Sequence, residues 1–121
     1  MKFLIVDDEP LVRRSLRRAL EARGHHVLEA AEGLSGIELW RSQKPDIVFL
    51  DVLMPGLSGP QVLQEMGNER GRAKVLLISA YSGDYNLETA QKMGADVFVA
   101  KPFEDIFALV SMAENLFKQR S

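Results

Sequence analysis

"FLIVDDEP", residues 3–10, sets four apolar residues directly against three acids and a proline. A continuous run of this kind suits a strand buried on both faces, as in a parallel sheet. Pro10 suits the first turn of a helix, because its fixed φ fits and its missing N–H would have been unpaired there anyway. The stretch therefore reads as the hinge of a β-α unit, with carboxylates crowded where the strand ends. Adjacent carboxylates repel, and that repulsion needs a reason.

The pattern repeats along the chain. Runs rich in Val, Ile, Leu or Phe recur at "FLIV" (3–6), "HVLEA" (26–30), "DIVFL" (46–50), "KVLLI" (74–78) and "DVFVA" (96–100). Helical spacing lies between them. Val12, Leu16, Ala19 and Leu20 mark a helix over 10–23 that stops at Gly24. Leu34, Ile37 and Trp40 or Leu39 mark 34–42. Residues 60–66 follow Ser58 and Gly59, 85–93 end at Gly94, and 103–118 form the last helix with a core stripe of Ile106, Leu109, Met112, Ala113 and Leu116. Five β-α units with crossovers of this length predict an open, doubly wound parallel sheet. A closed barrel of eight such units needs about twice the chain.

Composition agrees with one compact domain. The 121 residues are 46% hydrophobic and 26% charged, with a net charge of −2 and no cysteine. That gives no basic face for nucleic acid, no disulfide framework and no thiolate metal site. No apolar run reaches the ~20 residues of a membrane span, and acids follow the first four apolar residues, unlike a secretory signal. The expected location is the cytosol. The terminal "KQRS" suits either a natural end or the start of a linker.

In a parallel sheet the C-terminal strand ends share one edge, where open α/β sheets bind ligands. "FLIV" delivers Asp7 and Asp8 there, "IVFL" delivers Asp51, "VLLI" Ser79 and "VFVA" Lys101. Singly, each has a plain explanation. Asp8 or Glu9 would cap the next helix, Ser79 would serve a turn, and Lys101 would be solvated. Capping needs do not explain four of five strand ends at once. Carboxylates crowded together suit a hard cation such as Mg²⁺, which shares its shell with phosphate oxygens. An ammonium and a hydroxyl suit the oxygens of a phosphoryl group, and a carboxylate can accept that group. His25 and His26 adjoin the second run, away from this edge, and read as surface or rim residues. No G-x-x-x-x-G-K-[ST] and no G-x-G-x-x-G after the first run is present, which disfavours P-loop and dinucleotide chemistry.

The stretches "LIVDDEP" (4–10), "PDIVFLDVLMPGLSG" (45–59), "LLISAYSG" (76–83) and "GADVFVAKPF" (94–103) together resemble the receiver domain of two-component response regulators, across the whole of residues 1–121. The resemblance implies a flavodoxin-like (βα)5 fold with strand order 2-1-3-4-5. It implies a phosphorylatable switch that catalyses only its own phosphorylation and dephosphorylation. Asp51 becomes the phosphoacceptor, and Asp8, Asp51 and the backbone carbonyl of Leu53 the Mg²⁺ ligands, with Asp7 acting through water. Lys101 pairs with the phosphoryl group, Ser79 moves onto it, and Phe98 is the aromatic switch, with phenylalanine in place of tyrosine. Lys101–Pro102 is commonly cis in this family. Leu53 and Tyr81 border the path of the hydrolytic water, so an apolar and a bulky side chain there should lengthen the phosphorylated state. The implied partners are a sensor histidine kinase or phosphotransfer protein, and an effector domain or downstream protein reached through the fourth helix, fifth strand and fifth helix. A phosphorylation-dependent homodimer is also compatible; direct nucleic-acid or membrane binding is not expected. Phe107 falls on the polar side of the last helix, where an exposed ring would serve a partner. Glu9 keeps only the role of helix entry.

Three other readings are weaker. A haloacid-dehalogenase-type phosphatase needs a second acid where Leu53 stands. An FMN module needs a phosphate cradle where "DDEP" would repel phosphate. A pseudo-receiver would not need the full acid, hydroxyl and lysine set.

Overall fold

The structure, a computed structural model, describes residues 1–80 and 86–118. Five strands, β1 (Lys2–Val6), β2 (His26–Ala30), β3 (Ile47–Asp51), β4 (Lys74–Ser79) and β5 (Val97–Ala100), form one sheet in the order β2-β1-β3-β4-β5. Every pairing is parallel. Five helices join them: α1 (Pro10–Ala22), α2 (Gly33–Gln43), α3 (Gly59–Met66), α4 (Leu87–Lys92) and α5 (Ile106–Lys118).

Strand residues alternate between two cores, as the pleat requires. Leu4, Val6, Val48, Leu50, Val75 and Leu77 pack with Ile37 and Trp40 of α2, Val62 and Met66 of α3, and Ala90 of α4. Phe3, Ile5, Ile47, Phe49, Leu76 and Ile78 pack with Leu16 and Leu20 of α1 and with Leu109, Val110 and Ala113 of α5. The doubly wound expectation holds, and the apolar runs are continuous because both faces of the sheet are covered.

Local chemistry sets the boundaries. Gly24, at φ 83°, ends α1; its N–H donates to the Glu21 carbonyl and that of His25 to the Leu20 carbonyl, which satisfies two terminal acceptors in the manner of a Schellman turn. Reciprocal Ser58–Gln61 and Asn86–Thr89 bonds start α3 and α4. The last helix begins at Ile106 rather than 103. Asp105 is its cap, because its carboxylate accepts the N–H groups of Phe107 and Ala108 at 3.1 Å. Asp46 and Asp96 precede their strands, and their carboxylates accept the N–H groups of Lys2 and Val75 at 2.8 Å.

Three helical positions differ from the periodic reading. Leu34 is exposed, because the buried stripe of α2 runs through Gly33, Gly36, Ile37 and Trp40. On α5 Met112 is exposed while Val110 is fully buried, which rotates the packed face away from the expected stripe. His25 is not a rim residue. Its ring packs on Phe3 in a tilted pair, centroids 4.7 Å apart, and Nε2 lies 2.6 Å from Glu114, tying the start of β2 to α5. Glu114 also accepts from Arg23, and the hydrogen bonds of Arg23 and then His25 hold its pKa below the usual carboxylate range. A single 3-10 turn over Gly67–Arg70, which the pattern did not announce, carries α3 toward β4.

Candidate functional site

The parallel order brings the C-terminal ends of β1, β3, β4 and β5 side by side. Asp7 is fully buried just past β1, whereas Asp8 is exposed. Asp7 is held from several directions. Its N–H donates to the Ala30 carbonyl at 3.1 Å, its own carbonyl accepts from Arg13 Nη1 at 2.6 Å, and its Oδ1 accepts the Glu9 N–H at 2.8 Å. Asp51 closes β3 and is 3% exposed, and Ser79 closes β4 and is also buried. Carboxylate oxygens of Asp7, Asp8 and Asp51 all lie within 4.8 Å of one another. Leu53, 57% exposed, overhangs a cleft of about 450 Å³ that Asp8, Glu9, Asp51, Ser79 and Lys101 also line.

A close backbone approach fixes the acceptor loop. The Gly59 N–H donates to the Val52 carbonyl at 2.9 Å. A Cβ on Gly59 would stand 2.5 Å from the Asp51 carbonyl oxygen, so only glycine lets α3 start this near the strand end.

The electrostatics follow from burial. Asp51 has its pKa pushed up to about 7, first by burial, next by the charge of Asp7 and by Asp8; Lys101 opposes the rise. Lys101, which follows β5, is not the solvated lysine that its position alone suggests. Its side chain is almost covered, and Nζ lies 2.6 Å from Glu9 Oε1, 3.0 Å from Asp7 Oδ2 and 3.7 Å from Asp51 Oδ2. Burial alone would lower its pKa; hydrogen bonds to Glu9 and Asp7 and the charges of Asp7 and Asp51 raise it instead. The Lys101–Pro102 bond is cis.

Glu9 is the residue that sequence reasoning misplaced. Its side chain makes no capping bond to α1; it belongs to the cluster as the shortest partner of Lys101. The signal available was only its place third in a row of acids. Phe98 is half-buried against the core shared with α2, α3 and α4, and Phe107 is 54% exposed on α5. Tyr81 lies outside the described residues. No described helix is long and apolar enough to cross a membrane.

Three hard carboxylates, one exposed and two buried, fit a small divalent cation of the Mg²⁺ type. Soft or nitrogen-seeking metals are disfavoured, because no histidine or cysteine joins the set.

Comparison with known proteins gives the same direction. The family model described as "Response regulator receiver domain" matches residues 3–114. Protein PilH of Pseudomonas aeruginosa is 33% identical over 86% of this chain and 88% of its own length. The transcriptional regulatory protein CseB of Streptomyces coelicolor is 36% identical over 84% of this chain but only 43% of its own length. The chain thus spans less than half of the transcriptional regulators it matches. The signal receiver domain of the putative response regulator NarL from Mycobacterium tuberculosis superposes with a TM-score of 0.86 at 32% identity, covering 98% of this chain and 97% of that one. A chain of the CheX-CheY-BeF3-Mg+2 complex from Borrelia burgdorferi superposes at 0.87 with 26% identity, covering 97% and 89%.

Proposed function

This chain belongs to the response regulator receiver domain family, and we propose on that premise that it is a signalling switch phosphorylated on Asp51. The observation that supports this best is the convergence of a buried, high-pKa Asp51 with Asp7, Asp8, Lys101 and Ser79 from four strand ends.

In the proposed reaction an Asp51 oxygen bonds to phosphorus while the donor bond breaks. With a phosphohistidine the P–N bond breaks and the imidazole takes up a proton from solvent. With an acyl phosphate the P–O bond breaks and the acylate departs. Asp51 must be ionised to attack, and a pKa of about 7 leaves that form incomplete at neutral pH. Lys101 favours the anion and offsets charge on the phosphoryl oxygens, and the Ser79 hydroxyl donates to one of them. Mg²⁺, held by Asp8, Asp51 and the Leu53 carbonyl with Asp7 behind, would supply further charge neutralisation. The site serves this one chain and turns over no second substrate.

Phosphorylation then biases two pre-existing arrangements of Ser79 and Phe98, and with them the surface of α4, β5 and α5 that carries Phe107. The reading implies a histidine kinase or phosphotransfer protein upstream, an effector domain or partner downstream, and a cytoplasmic setting.

Incubation with acetyl phosphate and Mg²⁺ is expected to add one phosphoryl mass to the intact protein and none to Asp51→Asn. An unmodified wild type under all conditions would refute the reading. Followed over time, Leu53→Asn should lose the phosphoryl group about three- to tenfold faster, since an amide there can orient water; an equal or slower loss removes that role from Leu53.

A further inference from the structure

Three carboxylates surround the Lys101 ammonium, and they are not equivalent. A lysine ammonium has three protons to donate. Glu9 Oε1 at 2.6 Å and Asp7 Oδ2 at 3.0 Å take the two short bonds, and Asp51 Oδ2 stands at 3.7 Å, outside hydrogen-bonding range. The acceptor aspartate is therefore the partner that Lys101 serves least. Asp7 cannot leave, because it is fully buried and its other oxygen is held by the Glu9 N–H. Glu9 can. Its side chain is 56% exposed, so water replaces the lysine at small cost.

We propose that Glu9 is a positioning residue that occupies Lys101 in the unphosphorylated protein and gives it up to the arriving phosphoryl oxygens. The inference rests on the phosphoacceptor reading of Asp51 and adds to it a competitor for the essential ammonium. The Glu9 backbone is fixed by its bond to Asp7 and by Pro10 at the first turn of α1, so the exchange is a side-chain rotation. Glu9 and Lys101 also line a second groove of about 560 Å³, where Leu11, Pro102, Phe103 and Ile106 give an apolar surface. With Ala80, the pair lines both the reacting cleft and this groove.

The test is the affinity for beryllofluoride, a phosphoryl mimic that involves no turnover, titrated by calorimetry at saturating Mg²⁺ and fixed ionic strength. Glu9→Gln should bind about fivefold tighter than wild type, the scale of one partly exposed ion pair. Glu9→Asp keeps the charge but loses the reach. If Glu9 acts by holding Lys101, Glu9→Asp also binds tighter; if Glu9 only repels the anion, Glu9→Asp matches wild type and the proposal fails. A Glu9→Gln affinity equal to or below that of wild type also overturns it. In the metal-free protein the Lys101 ammonium resonance should shift in both variants, and an unmoved resonance refutes the pairing itself. A wild type that binds no beryllofluoride while its Lys101 resonance does respond would instead refute the phosphoacceptor reading.

Discussion

Asp51→Asn is expected to melt at a higher temperature than the wild-type protein when both are free of metal at pH 8. The cause is the burial that makes Asp51 reactive. In the unfolded chain its carboxyl ionises near its ordinary value of 3.8, but in the fold it holds its proton to about 7. Between those values the unfolded chain has already lost a proton that the folded one keeps. Folding stability therefore falls as pH rises through that window, is undiminished below it and levels off above it. Asparagine has no charge to strand. The gain should be nearly absent below pH 4, grow between pH 4 and 7, and reach about 1–3 kcal/mol above that, less than the full shift implies because the charge relaxes and hydrates. For a chain of this size that is roughly 3–10 °C. Saturating Mg²⁺ should narrow or reverse the difference, because it stabilises the ionised wild-type cluster alone. Equal midpoints for the two proteins across the whole pH range would disprove the account.

Lys101→Met is expected to do the opposite, and by more. The lysine is almost covered and is the only side-chain cation within salt-bridge distance of Asp7 or Asp51 among the described residues. Removing it leaves buried carboxylates without compensation, a change that typically costs about 3–5 kcal/mol. Proton uptake by Asp51 offsets part of this, so we expect a loss of about 3 kcal/mol at pH 8 and a smaller one at pH 5. Denaturant unfolding at the two pH values measures both. The double variant with Asp51→Asn should lose less than the sum of the single changes, since the two residues share one cluster. Strict additivity, or a loss that does not change with pH, would place the effect in packing rather than charge.

These two variants also mark what the sequence made legible. Asp51 and Lys101 could be placed because each ends a continuous apolar run, and parallel pairing turns separate run ends into one edge. The two-sided cover of the sheet was readable for the same reason. Glu9 was not readable. Its role depends on the reach of a lysine ninety-two residues away, which no local spacing encodes. Leu34 and Met112 failed because periodicity finds a stripe but does not fix where its centre meets the sheet. The start of α5 was misjudged because Phe103 and Glu104 look helical, while the Asp105 carboxylate turns toward the N–H groups of the first turn only once the cap has formed.

The close contact at Gly59 has a consequence for engineering. Its bond to Val52 ties together the two ends of the segment 53–58, within which Met54 and Leu57 pack against the core. Loop closure grows costlier only slowly with length, by about 0.6 kcal/mol per doubling. Residues can thus be inserted at its tip, beside the positive-φ Gly56, while the Gly59–Val52 bond keeps the carboxylate of Asp51 in place. The loop tip at Gly56 is in this sense a replaceable part, whereas Leu53 at the rim and the acids of the floor are not.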